Sequence, residues 1–158
     1  MMYGRRPLTR LESALYAAVC AVLVAVFFKF ALDYMELAER AAMQATLNGV
    51  TSAINLRYAR SVMLGQAADP EDFLRRNPFK AAETTPRSFA GELISPEIGS
   101  LERPAWFYDV ISREVVYLPN HRRSLQTVDP DAALRFRLAP HRAGFGFMLV
   151  PASPYTWE

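Results

Sequence analysis

A run of fifteen residues without a charge, Ala14–Phe28, constrains this chain more than any other feature of its sequence. One lysine, Lys29, interrupts the run before Phe30–Leu32, which makes the whole apolar segment nineteen residues long. As a helix it would measure roughly 28 Å, close to the ~30 Å hydrocarbon core of a bilayer. Lys29 can reach the interface on its aliphatic stem. We therefore expect a transmembrane helix over residues 12–32.

The charges that flank this segment predict its direction in the membrane. The basic residues before it are Arg5, Arg6 and Arg10, and the first charged residues after it are Asp33, Glu36 and Glu39. Because positive charge is retained on the cytoplasmic side, residues 1–11 are predicted to be a cytoplasmic basic leader and the rest of the chain to lie outside. A cleaved signal peptide is the competing interpretation, but the run is long for one and ends in Phe-Phe-Lys-Phe rather than small residues.

Helical character continues beyond the predicted span, through residues 33–66. No proline occurs before Pro70, and good helix formers dominate. Apolar side chains recur every three or four residues and form one stripe, which predicts the packing face of the helix. Gly65 is a plausible C-terminal glycine. The stripe consists of Met43, Leu47, Val50, Ile54, Tyr58 and Val62.

The remaining residues, 67–158, are predicted to form a loop-rich segment followed by a small sheet. Asp69 before Pro70 indicates a capped short helix that ends near Pro78. Aromatic and β-branched runs then predict strands, since they are short and bounded by turn residues. These predicted strands are Trp106–Ile111, Glu114–Leu118, Leu134–Leu138 and Phe145–Val150. The expected fold is α+β: one long helix, transmembrane in its first half, packed on an antiparallel sheet of three or four strands.

Neither composition nor motifs indicate catalysis. Eighteen basic residues nearly balance sixteen acidic ones, so no direct nucleic-acid partner is expected. The single cysteine, Cys20, lies inside the predicted span, and the two histidines belong to no paired metal motif. The segments around His121 and His141 are better explained as solvated loops than as anion sites. The Asp129-Pro130-Asp131 sequence is better explained as a capped turn than as a calcium loop. We expect no enzyme, no metal and no cofactor.

The N-terminal residues resemble those of the type IV pilin and type II secretion pseudopilin family. Leu8-Thr9-Arg10-Leu11-Glu12 lines up with the family's Phe-Thr-Leu-Ile-Glu: Leu8 takes the usual Phe position, Thr9 and Leu11 fit, and Glu12 falls on the glutamate. The leader MMYGRRP has a suitable length and charge. The segment from Asn77 to Tyr117, with Phe89–Glu92 and Trp106–Asp109, looks like globular parts of some pseudopilin-like proteins.

The resemblance implies a single-pass protein of the bacterial inner membrane with a periplasmic C-terminal domain. Its partners would be the lipid bilayer and other pilin or pseudopilin subunits, and its function would be the assembly of a type IV pilus or type II secretion filament. In the family the glutamate compensates the free amino group of a neighbouring subunit. For Glu12 of this chain there are two alternatives: it pairs with such an amino group, or it lies at the membrane interface beside the arginines of the leader.

Two residues depart from the family pattern. Pro7 stands where the prepilin peptidase expects a small residue, normally glycine, and Arg10 stands where the family has an apolar one. If Pro7 blocks cleavage, Leu8 never becomes a free N-terminus. The alternative function is therefore a non-polymerising single-pass inner-membrane component of a periplasmic complex, with its leader uncleaved.

Overall fold

The structure is a computed structural model that describes residues 9–66, 69–141 and 144–157. The chain divides into two compact units, Met1–Leu37 and Ala38–Glu158. The long first helix belongs partly to each of them. The helices are α1 (Arg10–Met63), α2 (Pro70–Arg75) and α3 (Pro78–Ala82). The strands are β1 (Phe89–Leu93), β2 (Ala105–Asp109), β3 (Glu114–Leu118), β4 (Leu125–Thr127), β5 (Leu134–Pro140), β6 (Phe147–Pro151) and β7 (Tyr155–Trp157).

The predicted long helix is confirmed as α1, a single helix of 54 residues. It ends where the sequence places a glycine. Gly65 adopts the left-handed region at φ 65°, and its N–H donates to the carbonyl of Val62. The next N–H, that of Gln66, reaches back to Ser61. These bonds satisfy carbonyls that the last turn of a helix would otherwise leave without a partner.

The α+β prediction is confirmed, but the sheet is larger and less regular than expected. In the second unit, five strands pair in the order β1-β2-β3-β5-β6, and β4 pairs with β7 in a separate two-stranded sheet. The prediction of three or four antiparallel strands is therefore wrong in number. It is also wrong in direction for one pair, because β1 runs parallel to β2 while the other neighbours are antiparallel.

Strand β1, the sequence Phe-Ala-Gly-Glu-Leu, is not predicted by the sequence pattern, and neither are β4 and β7. β1 contains Gly91 at φ 108°, and its register against β2 shifts between Phe89 and Glu92. A strand that is short, contains glycine and lies in a proline-rich stretch has no clear period-two pattern. Its parallel direction follows from the connection, since residues 94–104 cross over and bring the chain back before β2 begins.

The predicted strands Trp106–Ile111 and Glu114–Leu118 correspond to β2 and β3, which pair as an antiparallel hairpin. The first of them ends two residues earlier than predicted, so the turn is longer than the two residues between the predicted strands. The strand ends at Asp109, whose side chain accepts hydrogen bonds from the N–H groups of Ile111 and Ser112. Arg113 closes the turn at φ 58°. An aspartate that binds the backbone two and three residues ahead stabilises a tight turn without the glycine or asparagine that a two-residue loop prefers.

The sheet buries side chains on both faces. Trp106 and Tyr108 belong to the core cluster that includes the α1 stripe, whereas Phe107, between them, belongs to the cluster on the other face. In β5 the predicted alternation holds, because Leu134, Phe136 and Leu138 are all buried. The second face is covered by partly buried Leu93, Ile98 and Leu101.

Two short helices follow α1, and asparagine or aspartate caps each of them. Asp69 accepts a hydrogen bond from the N–H of Glu71, and Pro70 occupies the first turn of α2, as predicted. Asn77 caps α3 in the same way, because its side-chain oxygen accepts a hydrogen bond from the N–H of Phe79 at 2.9 Å. The amide nitrogen of Asn77 also donates to Glu92 at 3.0 Å, which fixes α3 to β1. These bonds position Phe79, fully buried, in the core.

Candidate functional site

The first unit presents an apolar helical surface to its surroundings. Its most apolar eighteen-residue stretch has no buried residue, and by length and composition it is able to cross a membrane. The large exposed apolar side chains include Leu15, Val19, Val22, Leu23, Val26, Phe27, Phe28 and Phe30. Tyr34, also exposed, follows the apolar segment at a position typical of the aromatic residues of a membrane interface. Free Cys20 lies within this exposed stretch.

A capping box opens the helix at the residues that resemble the pilin signature. The N–H of Thr9 donates to Oε2 of Glu12 at 2.7 Å, and the N–H of Glu12 donates to Oγ1 of Thr9 at 3.3 Å. Each side chain thereby satisfies one N–H that the first turn leaves without a partner. Glu12 and Leu11 are both exposed, and Arg10 is the first helical residue. Leu8, Pro7, Arg6 and Arg5 lie outside the described residues.

In the second unit, the structure buries most of the apolar stripe of α1. Met43, Leu47, Val50 and Ile54 belong to the main core cluster, and Tyr58 packs against it, partly buried. Val62 is 46% exposed and does not belong to it. Eight residues of helix rotate about 80° beyond two full turns, so Val62 points well away from the face that Ile54 occupies. The stripe therefore ends at Tyr58.

A largely buried carboxylate that the sequence does not single out lies near the start of the second unit. Glu39 accepts four hydrogen bonds, and its side chain is 9% exposed. The donors are the hydroxyl of Tyr117 at 2.8 Å, the N–H of Asn120 at 2.7 Å, and the N–H and Nδ1 of His121, each at 2.8 Å. Glu39 thus fixes the loop after β3 to α1. The neighbouring Arg40 donates to the carbonyl of Trp157 in β7.

Hydrogen bonding determines the charge state of this centre. Burial alone would raise the pKa of Glu39, but the N–H groups of Asn120 and His121 and the hydroxyl of Tyr117 outweigh burial and hold the pKa below its ordinary value. The pKa of Tyr117 is raised, first by burial and then by its bond to the Glu39 carboxylate. The centre is an ionised acceptor surrounded by donors. Two of these donors are backbone N–H groups of the loop after β3, so the carboxylate holds that backbone in place.

A second polar cluster joins three strands and the loop before β5. Arg135 donates through Nε to Asp129 at 3.0 Å, and its Nη1 lies 3.7 Å from Asp109 and 3.8 Å from Glu114. Asp129 also accepts a hydrogen bond from the N–H of Asp131, which makes Asp129–Asp131 the capped turn that the sequence indicates. Among the described residues there is no group of three or more His, Cys, Asp or Glu placed to hold a metal ion.

An open depression of about 870 Å³ lies beside the end of α1 and along α2. Four arginines and three acids are among its lining residues, and most of the arginines are paired. Arg57 lies 2.6 Å from Glu83, and Arg76 contacts Asp72. A depression whose charges neutralise one another has little attraction for a charged ligand. Its described lining residues include no histidine or cysteine.

Comparison of the chain with known protein families, with curated proteins and with solved structures found no match.

Proposed function

We propose that this chain is a pilin-like or pseudopilin-like subunit, anchored in the bacterial inner membrane, which takes part in assembling a type IV pilus or a type II secretion filament. The observation that supports this function is α1 itself. One helix begins with a capping box, exposes large apolar side chains in the first unit, and buries an apolar stripe against a sheet in the second. The N-terminus would be cytoplasmic and the sheet domain periplasmic.

The exposed apolar surface explains why the proposed partners are the bilayer and other anchor helices. Soluble monomers rarely expose apolar patches beyond a few hundred Å². The first unit exposes large apolar side chains along its length, from Leu11 to Leu37. Lipid and packed helices remove such side chains from water, with about 25 cal/mol gained per Å² of apolar area buried. The proposed activity is therefore assembly through helix packing, and it requires no cofactor.

One observation favours the alternative, a non-polymerising anchored component. The Glu12 carboxylate already accepts the N–H of Thr9 in its own chain. This satisfies it without a neighbouring subunit's amino group. Pro7, immediately before the predicted cleavage point, favours the same alternative.

Intact-mass measurement on the protein from native membranes distinguishes the two. A processed pilin-like subunit gives a chain that begins at methylated Leu8. A chain that retains residues 1–7 contradicts processing and supports the anchored component.

A pair of substitutions separates the two roles of Glu12. Glu12→Gln keeps an acceptor for the capping box but removes the charge, whereas Glu12→Ala removes both. If Glu12 compensates a neighbour's amino group, both variants lose incorporation into the filament, as measured by recovery of the subunit in sheared or purified filaments. If Glu12 only caps the helix, Glu12→Gln assembles normally and the charge-pairing role is refuted.

A further inference from the structure

The five-stranded sheet has two outer strands, and they differ in regularity. β1 is irregular, because Gly91 and the shift in its register interrupt the ladder with β2. β6 pairs with β5 at five consecutive positions, Phe147 to Pro151, and this segment contains no charged residue. In the described part of the chain no strand pairs with the other side of β6. A regular, apolar and uncharged outer strand is the kind that pairs with strands of other chains, whereas an irregular one resists such pairing.

The hydrogen bonds around β6 show which of its backbone groups face outward. The carbonyl of Gly146 accepts a bond from the residue after β5 at 2.9 Å, and the N–H of Ala152 donates to a carbonyl of β5 at 2.8 Å. Because the direction alternates along an antiparallel strand, the even-numbered residues of β6 face β5. Phe147, Leu149 and Pro151 therefore direct their backbone groups away from the sheet. Of these three, Pro151 has a carbonyl but no N–H to offer.

Asn55 of α1 occupies the first of these outward positions. Its Nδ2 donates to the carbonyl of Phe147 at 3.0 Å, and its Oδ1 accepts the N–H of the same residue at 2.7 Å. A paired strand would offer Phe147 the same combination of one donor and one acceptor. Gly146 leaves room for this contact, since a Cβ there would lie 2.8 Å from the Asn55 oxygen. The side chain of Asn55 thus takes the place of a neighbouring strand at this end of β6.

A second copy of β6 would fit the same edge about a two-fold axis at Leu149. In that antiparallel register the two Leu149 residues exchange both hydrogen bonds of an opposed pair, and the N–H of each Phe147 meets the Pro151 carbonyl of the other copy. Proline cannot return a bond to the Phe147 carbonyl. While Asn55 is bonded to Phe147, only the bonds at Leu149 remain available to the second copy.

We propose that Asn55 blocks the outer edge of β6 and thereby prevents this strand from pairing with β6 of a second copy of the chain. The inference is independent of the proposed function, because it concerns the second unit alone. Removal of the Asn55 amide leaves the N–H and the carbonyl of Phe147 without their partner, and Phe147 is only 2% exposed. Pairing with a second copy then satisfies the N–H. The association of two copies should therefore rise roughly tenfold or more.

The test compares variants of the full chain in detergent, with dimer formation measured against protein concentration by analytical ultracentrifugation. Asn55→Ala should form dimers at roughly tenfold lower concentration than the unchanged chain. Hydrogen exchange followed by mass spectrometry should show slower exchange of the Phe147 and Leu149 amides in that dimer than in the monomer. Gly146→Ala disturbs the same contact without changing α1 and should have the same effect. Association through the anchor helix is common to all variants, so only the differences between them are compared.

Three control variants separate an open edge from a loss of stability. Asn48→Ala makes the same substitution at an exposed position of α1 and should leave association unchanged. Ile54→Ala removes core packing but keeps Asn55, so it should not add dimers. Asn55→Ala/Leu149→Pro should associate no more than the unchanged chain, because proline removes the outward N–H.

The proposal is overturned if Asn55→Ala dimerises no more than the unchanged chain, or if Ile54→Ala dimerises as strongly as Asn55→Ala. A dimer of Asn55→Ala that persists when Leu149→Pro is added also overturns it. Hydrogen exchange decides without the proline variant, since a dimer in which the amides of β6 exchange as fast as in the monomer does not form through this edge.

Discussion

At the scale of single residues, the carboxylate of Glu39 joins parts of the second unit that are distant in the sequence. Its backbone partners lie 81 and 82 residues away in the sequence, and one carboxylate satisfies two N–H groups, a hydroxyl and an imidazole nitrogen. Hydrogen bonds to a charged acceptor contribute more than those between neutral groups. No local pattern distinguishes Glu39 from Glu36 in the sequence, because the partners come together only when the sheet is complete.

Replacing Glu39 with Gln should destabilise the second unit in a pH-dependent way. Because the pKa of Glu39 in the folded chain lies below its ordinary value of 4.5, the ionised group adds stability that is fully present above about that pH. This stability is lost as the pH falls through the folded pKa. At pH 7 we expect Glu39→Gln to cost about 1–3 kcal/mol, and the cost to shrink on acidification.

Thermal unfolding followed by the fluorescence of Trp106 and Trp157 measures this effect. Glu97→Gln, an exposed glutamate without a side-chain bond among the described residues, is the control and should change little at either pH. Equal costs of Glu39→Gln at neutral and acid pH would show that its charge does not stabilise the loop.

Gly146 is required for another residue-scale contact, between α1 and the edge of β6. Asn55 pairs with the backbone of Phe147 through both its amide nitrogen, at 3.0 Å, and its oxygen, at 2.7 Å. A Cβ at Gly146 would lie 2.8 Å from that oxygen, and the backbone there has φ 89°. We expect Gly146→Ala to cost about 1–3 kcal/mol in chemical denaturation. Gly99→Ala adds a methyl into open space at an ordinary φ and should stay within about 0.5 kcal/mol; similar losses in both would contradict this contact.

At the scale of elements, one face of α1 determines how helix and sheet pack. Ile54 is fully buried, whereas Leu56, two residues further, is 72% exposed. Ile54→Ala should cost about 2–5 kcal/mol because it leaves a cavity in the main core, and Leu56→Ala about 0.5 kcal/mol or less. Urea denaturation of the two variants gives both values. A large loss in Leu56→Ala would mean that this face is also packed.

The sequence predicts these elements unequally, for physical reasons that particular residues illustrate. The stripe of α1, the capped turn at Asp69 and the alternation in β5 depend on neighbours within a few positions, so periodicity and capping chemistry reveal them. Strands β4 and β7 have three residues each and pair across more than twenty-five residues of chain, and β1 pairs through a crossover. Short segments paired at long range carry no periodic signal. Val62 leaves the packing face because each step of four residues turns slightly more than one full turn of the helix. After two such steps from Ile54, its side chain is rotated by about 80°.

At the scale of the whole molecule, two unlike units share one helix. The first exposes apolar side chains along its length, and the second buries aromatic and aliphatic side chains on both faces of a five-stranded sheet. The average composition conceals this division, since 51% hydrophobic residues with 22% charged is close to the value for a globular domain. Assembly through the first unit is the proposal that these facts support.

Cross-linking inside the apolar segment tests that proposal most directly. A photoreactive amino acid at Val22, exposed on α1, is activated in native membranes, and the adducts are identified by mass spectrometry. The proposed function predicts adducts with the N-terminal helices of neighbouring pilin-like subunits, and loss of these adducts in cells that lack the filament's assembly machinery. Adducts with lipid alone, at Val22 and at other positions around the helix, would contradict assembly through the anchor.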